Sequence, residues 1–336
     1  MSAVNRQIRL AARPQGEVKP TDWEHADTPA AEPGEGEFAG RTRFVSLDPA
    51  MRGWLDDRPS YLPPVGLGEV MRAGTVVEVT ASNHPTYRVG DHVVGTFGVQ
   101  EHVVSDGRGT LRVDPAAAPL STYLGALGMP GMTAYFGLLE VGALKVGETV
   151  VVSGAAGAVG TIVGQIAKVK GCRVVGIAGG PDKCKYVTDE LGFDACIDYR
   201  QHPDVKSMSA ALKEACPNGI DGYFENVGGY IFDAVLLRTN AFARIALCGM
   251  IAGYDGQPLP LANPALFLIN RIKLEGFIVS EHMEVWPEAL AELGGLVASG
   301  KLRPRESVAQ GIEAAPEAFL GLLKGRNFGK QLVKLI

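Results

Sequence analysis

Cysteine is scarce and poorly spaced for metal or disulfide chemistry. Five cysteines occur in 336 residues (Cys172, Cys184, Cys196, Cys216 and Cys248), an odd set with no C-x-x-C pair. That argues against a disulfide framework and a four-thiolate zinc cluster, and predicts reduced, mostly buried thiols. No cysteine precedes Cys172, and His25, His84, His92 and His102 show no ligand spacing, so a zinc site with an open fourth position lacks donors there. G-x-S-x-G and H-E-x-x-H are missing, which disfavours hydrolysis. Positive charge is not in excess either: 32 Lys and Arg stand against 37 Asp and Glu, for a net charge of -5. Nucleic acid and anionic membrane surfaces are therefore poor partners. No apolar run approaches the roughly 20 residues that span a bilayer. The opening MSAVNRQIRLAARPQGEV has no signal-peptide core, so the cytoplasm is the expected compartment.

What is present is an ordinary globular composition, 46% apolar and 21% charged, in a chain long enough to favour two domains. Glycine is the exception: its 43 occurrences exceed the average of roughly 7% and point to tight turns and close backbone approaches. Up to about Thr122 the chain reads as short β-rich stretches broken by Gly, Pro and Asp. Val76, Val77 and Val79, then Val93 and Val94, are β-branched runs bounded by turn residues. The stretch EHADTPAAEPGEGE, rich in Pro, Glu and Gly, reads as a mobile surface loop. From about Gly125 apolar strands alternate with helices: TVVVSG, RVVGIAGG, DACIDY, DGYFENVGG, RIALCGM and KLEGFIV supply six strand signals. That grammar predicts a doubly wound, mostly parallel sheet. The expected fold is α/β, with a β-rich domain over 1–124 completed by 302–336, and a doubly wound domain over 125–301.

The segment TVVVSGAAGAVGTIVGQIAK joins a strand to an amphipathic helix through a turn containing Gly154, Gly157 and Gly160. Amides at the start of such a helix, with the helix dipole, favour a pyrophosphate. Ala155 and Ala156 depart from the simplest G-x-G-x-x-G spacing but are small enough for close approach, and Ala158 and Val159 complete the turn into the helix. A second strand at the right distance supplies the context that makes the motif a dinucleotide site. At the tip of that second strand an NAD site wants an acid for the ribose 2′-hydroxyl. This chain offers Ala178, Gly179 and Gly180, then Asp182, which is expected to cap the next helix. Lys183 and Lys185 follow in that helix's first turn, where a cation opposes the dipole unless an anion is present; a 2′-phosphate would be that anion, so NADP(H) is the expected cofactor. Without a metal, a substrate carbonyl must be polarised by hydrogen bonds, which suits conjugated double bonds whose developing enolate needs only donors.

Together SLDPAMRGWL, GMPGMTAY, SGAAGAVGTIVGQIAK, AGGPDKCKY, ENVGG, CGMIAGYDG and GRNFGKQLV make the chain resemble, over nearly its whole length, the zinc-free medium-chain dehydrogenase/reductases of the prostaglandin reductase and alkenal/one oxidoreductase type. The resemblance implies a GroES-like catalytic domain, a Rossmann domain, and NADPH-dependent reduction of the C=C bond of α,β-unsaturated ketones and aldehydes by a homodimer. It implies that Lys183 and Tyr199 bind the 2′-phosphate beside Gly179, and that Asn226 and Asn327 contact the nicotinamide half or the diphosphate. Thr133 and Cys248 would lie on the cofactor, Tyr254 would donate toward the substrate oxygen, and Tyr61 would be a second pocket tyrosine. Two other readings share the cofactor site: a quinone reductase, and a protein that binds NADPH without turning it over.

Overall fold

The computed structural model describes residues 3–335. They divide into two units: one takes in the chain up to Gly125 and again from Glu306, the other is Ala126–Arg305. The first unit is β-rich. Val76, Val77 and Val79 lie in Thr75–Ser82 and Val93 and Val94 in His92–Gly95, paired antiparallel with Val77 opposite Val93. Thr75–Ser82 pairs in turn with Phe38–Leu47. The chain returns after Glu306, so that Lys330–Lys334 runs antiparallel to Phe38–Leu47 and parallel to Glu306–Gln310.

One strand pair corrects the sequence reading. Trp23–Pro29, which includes the first six residues of the expected mobile EHADTPAAEPGEGE stretch, pairs antiparallel with Val4–Leu10 over its full length. Its polar residues face outward on a two-stranded sheet, while the apolar anchors are Trp23 of this strand and Ile8 and Leu10 of its partner. Trp23 packs edge-on against Phe319 at 6.0 Å. A composition that suggests a loop therefore belongs here to a ribbon with one buried end.

In the second unit the six strand signals all become strands: β1 Thr149–Ser153, β2 Arg173–Ala178, β3 Ala195–Asp198, β4 Ile220–Glu225, β5 Thr239–Leu247 and β6 Lys273–Gly276. All pairings are parallel, and the order β3-β2-β1-β4-β5-β6 reverses at β1. This is the Rossmann arrangement, in which ligands sit beyond the carboxyl ends of the strands at the reversal. The central strand β1 is buried at every position, as a strand covered on both faces must be. The helices used below are α1 Met129–Phe136, α2 Ala158–Val169, α3 Pro181–Lys185 and α4 Val205–Ala215. α2 turns Ile162, Val163, Ile166 and Ala167 into the core, the 3.6-residue stripe that its sequence shows.

Candidate active site

The site begins where β1 ends. Gly154 adopts φ +60, a left-handed conformation that L side chains rarely take, and turns the chain toward α2. Gly157 is the N-cap of α2 and its own amide donates to the Gly154 carbonyl at 2.9 Å. No side chain caps this helix start, so its first amides remain available to an anion. At Gly160 an added Cβ would fall 2.4 Å from the Gly154 oxygen, so the first turn of α2 rests directly on the loop backbone. Ala155 and Ala156 are buried beneath it, with the Ala155 amide donating to Ile177 of β2 at 3.0 Å. Ala158 and Val159 begin α2 half-exposed.

Across the reversal, a buried carboxylate shapes the loop after β4. Glu225 Oε1 accepts from Ser153 Oγ at 2.9 Å and from the Gly228 amide at 2.8 Å, and also from the Val227 amide. Burial holds this carboxyl above its ordinary value, and Tyr223 lies close enough that each shifts the other's titration. Asn226 donates from its amide to Ser153 Oγ at 2.8 Å and from Nδ2 to the Ser153 carbonyl at 2.7 Å. The loop after β5 is tied to the same place: Cys248 and Gly249 donate to the Glu225 carbonyl, and Ile251 to that of Asn226. Glu225 was not among the residues singled out from the sequence. The signal was an acid inside the apolar stretch YFENVGG, where an unpaired charge would be costly.

Tyr254 follows the short turn Ile251–Gly253 and is half-buried. Its hydroxyl lies 3.1 Å from where a Cβ on Gly249 would stand, so it reaches back over the end of β5. Cys248 and Gly249 line a cavity of about 370 Å³ together with Phe277, Glu281 and His282. His282 stacks on Phe136 of α1 at 4.1 Å. Enclosure pushes the Cys248 thiol up to about 12, aided by the Glu225 charge, so it stays protonated near neutrality. Thr133, in α1, donates to the Met129 carbonyl at 2.7 Å.

The tips of β2 and β3 form a cationic corner. The Tyr199 ring packs 2.8 Å from the Cβ position of Gly179, and Arg200 Nη1 is 3.4 Å from that of Gly180. Asp198 Oδ1 accepts from the Gly180 amide at 2.7 Å and from the Arg200 amide at 3.1 Å, which fixes the two tips together. Lys183 is half-buried in α3, and its ammonium is held below its ordinary value by burial and then by the Arg200 charge. Two cations thus repel each other where an NAD site would place an acid. Arg200 went unnoticed in the sequence, because only the return of β3 beside β2 brings it here. Asp182 does not cap α3. Gly180, at φ +98, is the N-cap, and Pro181 at the first helical position starts the helix two residues earlier than an Asp182 cap would.

The structure therefore gathers Gly154–Gly160, Gly179, Lys183, Tyr199, Asn226, Cys248 and Tyr254 beyond the carboxyl ends of the parallel strands, with Thr133 in the same unit. Asn327 and Tyr61 belong to the first unit. Asn327 is buried and donates to the Gly329 carbonyl at 2.7 Å, while Tyr61 is exposed and accepts from Trp54 Nε1 at 3.1 Å. His84 serves a turn, its Nδ1 accepting from the Thr86 and Tyr87 amides. Among the described residues no group of three or more His, Cys, Asp or Glu is placed to hold a metal ion.

Residues 6–113 match a family model described as the N-terminal domain of oxidoreductase, and residues 158–294 one described as zinc-binding dehydrogenase. The chain is 46% identical to an NADPH-dependent curcumin reductase of Escherichia coli, over 98% of this chain and 97% of that protein. It is 43% identical to prostaglandin reductase 1 of Rattus norvegicus, over 89% of each. The crystal structure of CurA in complex with NADPH from Vibrio vulnificus superposes with a TM-score of 0.93 at 46% identity, covering 98% of this chain and 99% of that one.

Proposed function

This chain belongs to the medium-chain dehydrogenase/reductases of the prostaglandin reductase type, and on that footing we propose that it reduces the C=C bond of α,β-unsaturated ketones and aldehydes with NADPH. The observation that carries the reading is the pairing of an uncapped helix start at α2 with the Lys183–Arg200 corner, a receptor for a diphosphate and a 2′-phosphate at the carboxyl ends of neighbouring strands. When bound, NADPH supplies the hydride that goes to the substrate's β-carbon.

The residues present fit that cofactor. Backbone amides at the start of α2, where Ala158, Val159 and Gly160 follow the tight turn that Gly154, the small Ala155 and Ala156, and Gly157 make, hold the diphosphate. Lys183, Tyr199 and Arg200 hold the 2′-phosphate over Gly179. Asn226 contacts the nicotinamide half or the diphosphate, and Thr133 and Cys248 lie on the cofactor. Tyr254 donates its hydroxyl hydrogen bond to the substrate oxygen, where negative charge grows as the enolate forms, and so stabilises the transition state more than the ground state. The α-carbon then takes its proton from solvent. The protonated Cys248 thiol does not compete with hydride as a nucleophile toward the β-carbon, since the thiolate is the reactive form.

A metal has no part in this chemistry, and dialysis against a chelator is expected to leave the rate unchanged. The reading also places the enzyme in the cytoplasm, in keeping with five free cysteines, which cell fractionation checks. It further joins two chains through the open edge at β6, near which Phe242, Leu268 and Ile269 are 63%, 82% and 60% exposed. Light scattering at micromolar concentration reads that mass. The reaction itself is tested by following NADPH oxidation with 3-nonen-2-one. The expected result is acceptor-dependent oxidation yielding the saturated ketone, with no turnover of that ketone. A panel of inert enones contradicts the proposal, and a quinone reduced under the same NADPH while the enones stay inert favours the quinone reductase reading instead.

A further inference from the structure

Two cysteines that no spacing motif connects meet in the Rossmann unit. Cys184 lies in α3 and Cys196 in β3, and the Cys196 thiol donates a hydrogen bond to Cys184 Sγ at 3.0 Å. Both are half-buried, whereas Cys172 and Cys216 are buried. A disulfide needs about 2.05 Å between the sulfurs, so closing the bridge requires an approach of about 1 Å along a line the side chains already share. The hydrogen bond from Cys196 holds the Cys184 thiol below its ordinary value, against its own burial and the Asp198 charge, while Cys196 is held above. A thiol that gives up its proton more readily, with a second thiol 3.0 Å away to resolve it, is the arrangement of a peroxide-sensitive pair.

We propose that Cys184 and Cys196 form a reversible dithiol–disulfide couple, oxidised by hydroperoxides, whose closure weakens NADPH binding by displacing the adjacent Lys183. The Cys184 thiolate attacks the peroxide oxygen, breaks the O–O bond and becomes a sulfenic acid, releasing water or an alcohol once the leaving oxygen is protonated. The Cys196 thiol then attacks that sulfur, forming S–S and expelling a second water. Two thiols are oxidised and one peroxide is reduced. The bridge joins the two segments that carry the cationic corner: Cys184 follows Lys183 directly, and β3 leads into Tyr199 and Arg200. A shift of about 1 Å is enough to misplace an ammonium in a charge-assisted hydrogen bond. Peroxide would in this way restrain consumption of NADPH.

The effect on affinity rests on the assignment of Lys183 to the 2′-phosphate; the couple itself does not. The full-length protein is treated with hydrogen peroxide, mapped by peptide mass without reduction, and titrated with NADPH and with NADH before and after. The expected result is a peptide linking Cys184 to Cys196, a mass lower by about 2 Da that dithiothreitol restores, and a loss of about tenfold in NADPH affinity, the effect of weakening one such bond, with NADH little changed. Cys196→Ser should bind NADPH normally when reduced, form no bridge, and accumulate a dimedone-reactive Cys184. Oxidation running to the sulfinic acid without a bridged peptide overturns the couple, and a bridged protein with unaltered NADPH affinity overturns its effect. Equal affinity of the reduced protein for NADPH and NADH refutes the phosphate assignment instead, and the bridged peptide still decides the couple.

Discussion

The chemistry assigned to single residues is modest and separable. Tyr254 is asked only to donate one hydrogen bond where charge develops, so Tyr254→Phe is expected to lower turnover by between about tenfold and a thousandfold while leaving NADPH affinity intact. A variant with wild-type turnover removes the residue from the mechanism. Lys183 and Arg200 are asked to recognise a phosphate. Replacing either with Ala should cost about tenfold to a hundredfold in NADPH affinity, the loss of one charge-assisted hydrogen bond, and should narrow the preference over NADH. Rate measurements with both cofactors check this, and an unaltered preference contradicts it. Lys183 was legible in the sequence because it follows the glycine pair at a strand tip. Arg200 and Glu225 were not: the first depends on β3 returning beside β2, and the second on which backbone amides the fold turns toward a buried carboxyl.

Among the elements, the β1–turn–α2 unit is the most readable and the least tolerant. Its sequence alone carries strand, glycine turn and amphipathic stripe, and the structure adds the reason for Gly160, a backbone contact that admits no side chain. Gly160→Val should therefore lower Tm and abolish NADPH binding together, as thermal melts with and without cofactor would show; retention of both would mean that the helix start is not seated on the turn. The alternation of strands and helices after Gly125 was equally plain, because strands buried on both faces read as continuous apolar runs. The ribbon Trp23–Pro29 was hidden for the opposite reason. It is mostly exposed, so its residues resemble those of a loop, and only its partner Val4–Leu10 identifies it.

For the molecule as a whole, two separated sequence segments become one structural feature. Lys330 of the terminal GRNFGKQLV is buried and donates to the Leu47 carbonyl at 2.7 Å and to Asp48 of SLDPAMRGWL at 2.6 Å. Burial lowers the ammonium's pKa and the Asp48 charge opposes that shift, so removing one partner would leave a charge uncompensated. The contact ties the end of the chain to the β-rich unit in which it began. The sequence predicts that 302–336 completes the first domain but not by which strands, since pairing between positions 47 and 331 is a matter of topology rather than local pattern. The central claim is that the Rossmann unit presents one receptor for a phosphorylated dinucleotide. Calorimetric titration of the reduced wild-type protein tests it most directly: one NADPH bound per chain, with NADH weaker by at least about tenfold, is the predicted result. Failure to bind either nucleotide, or equal binding of both, would contradict it.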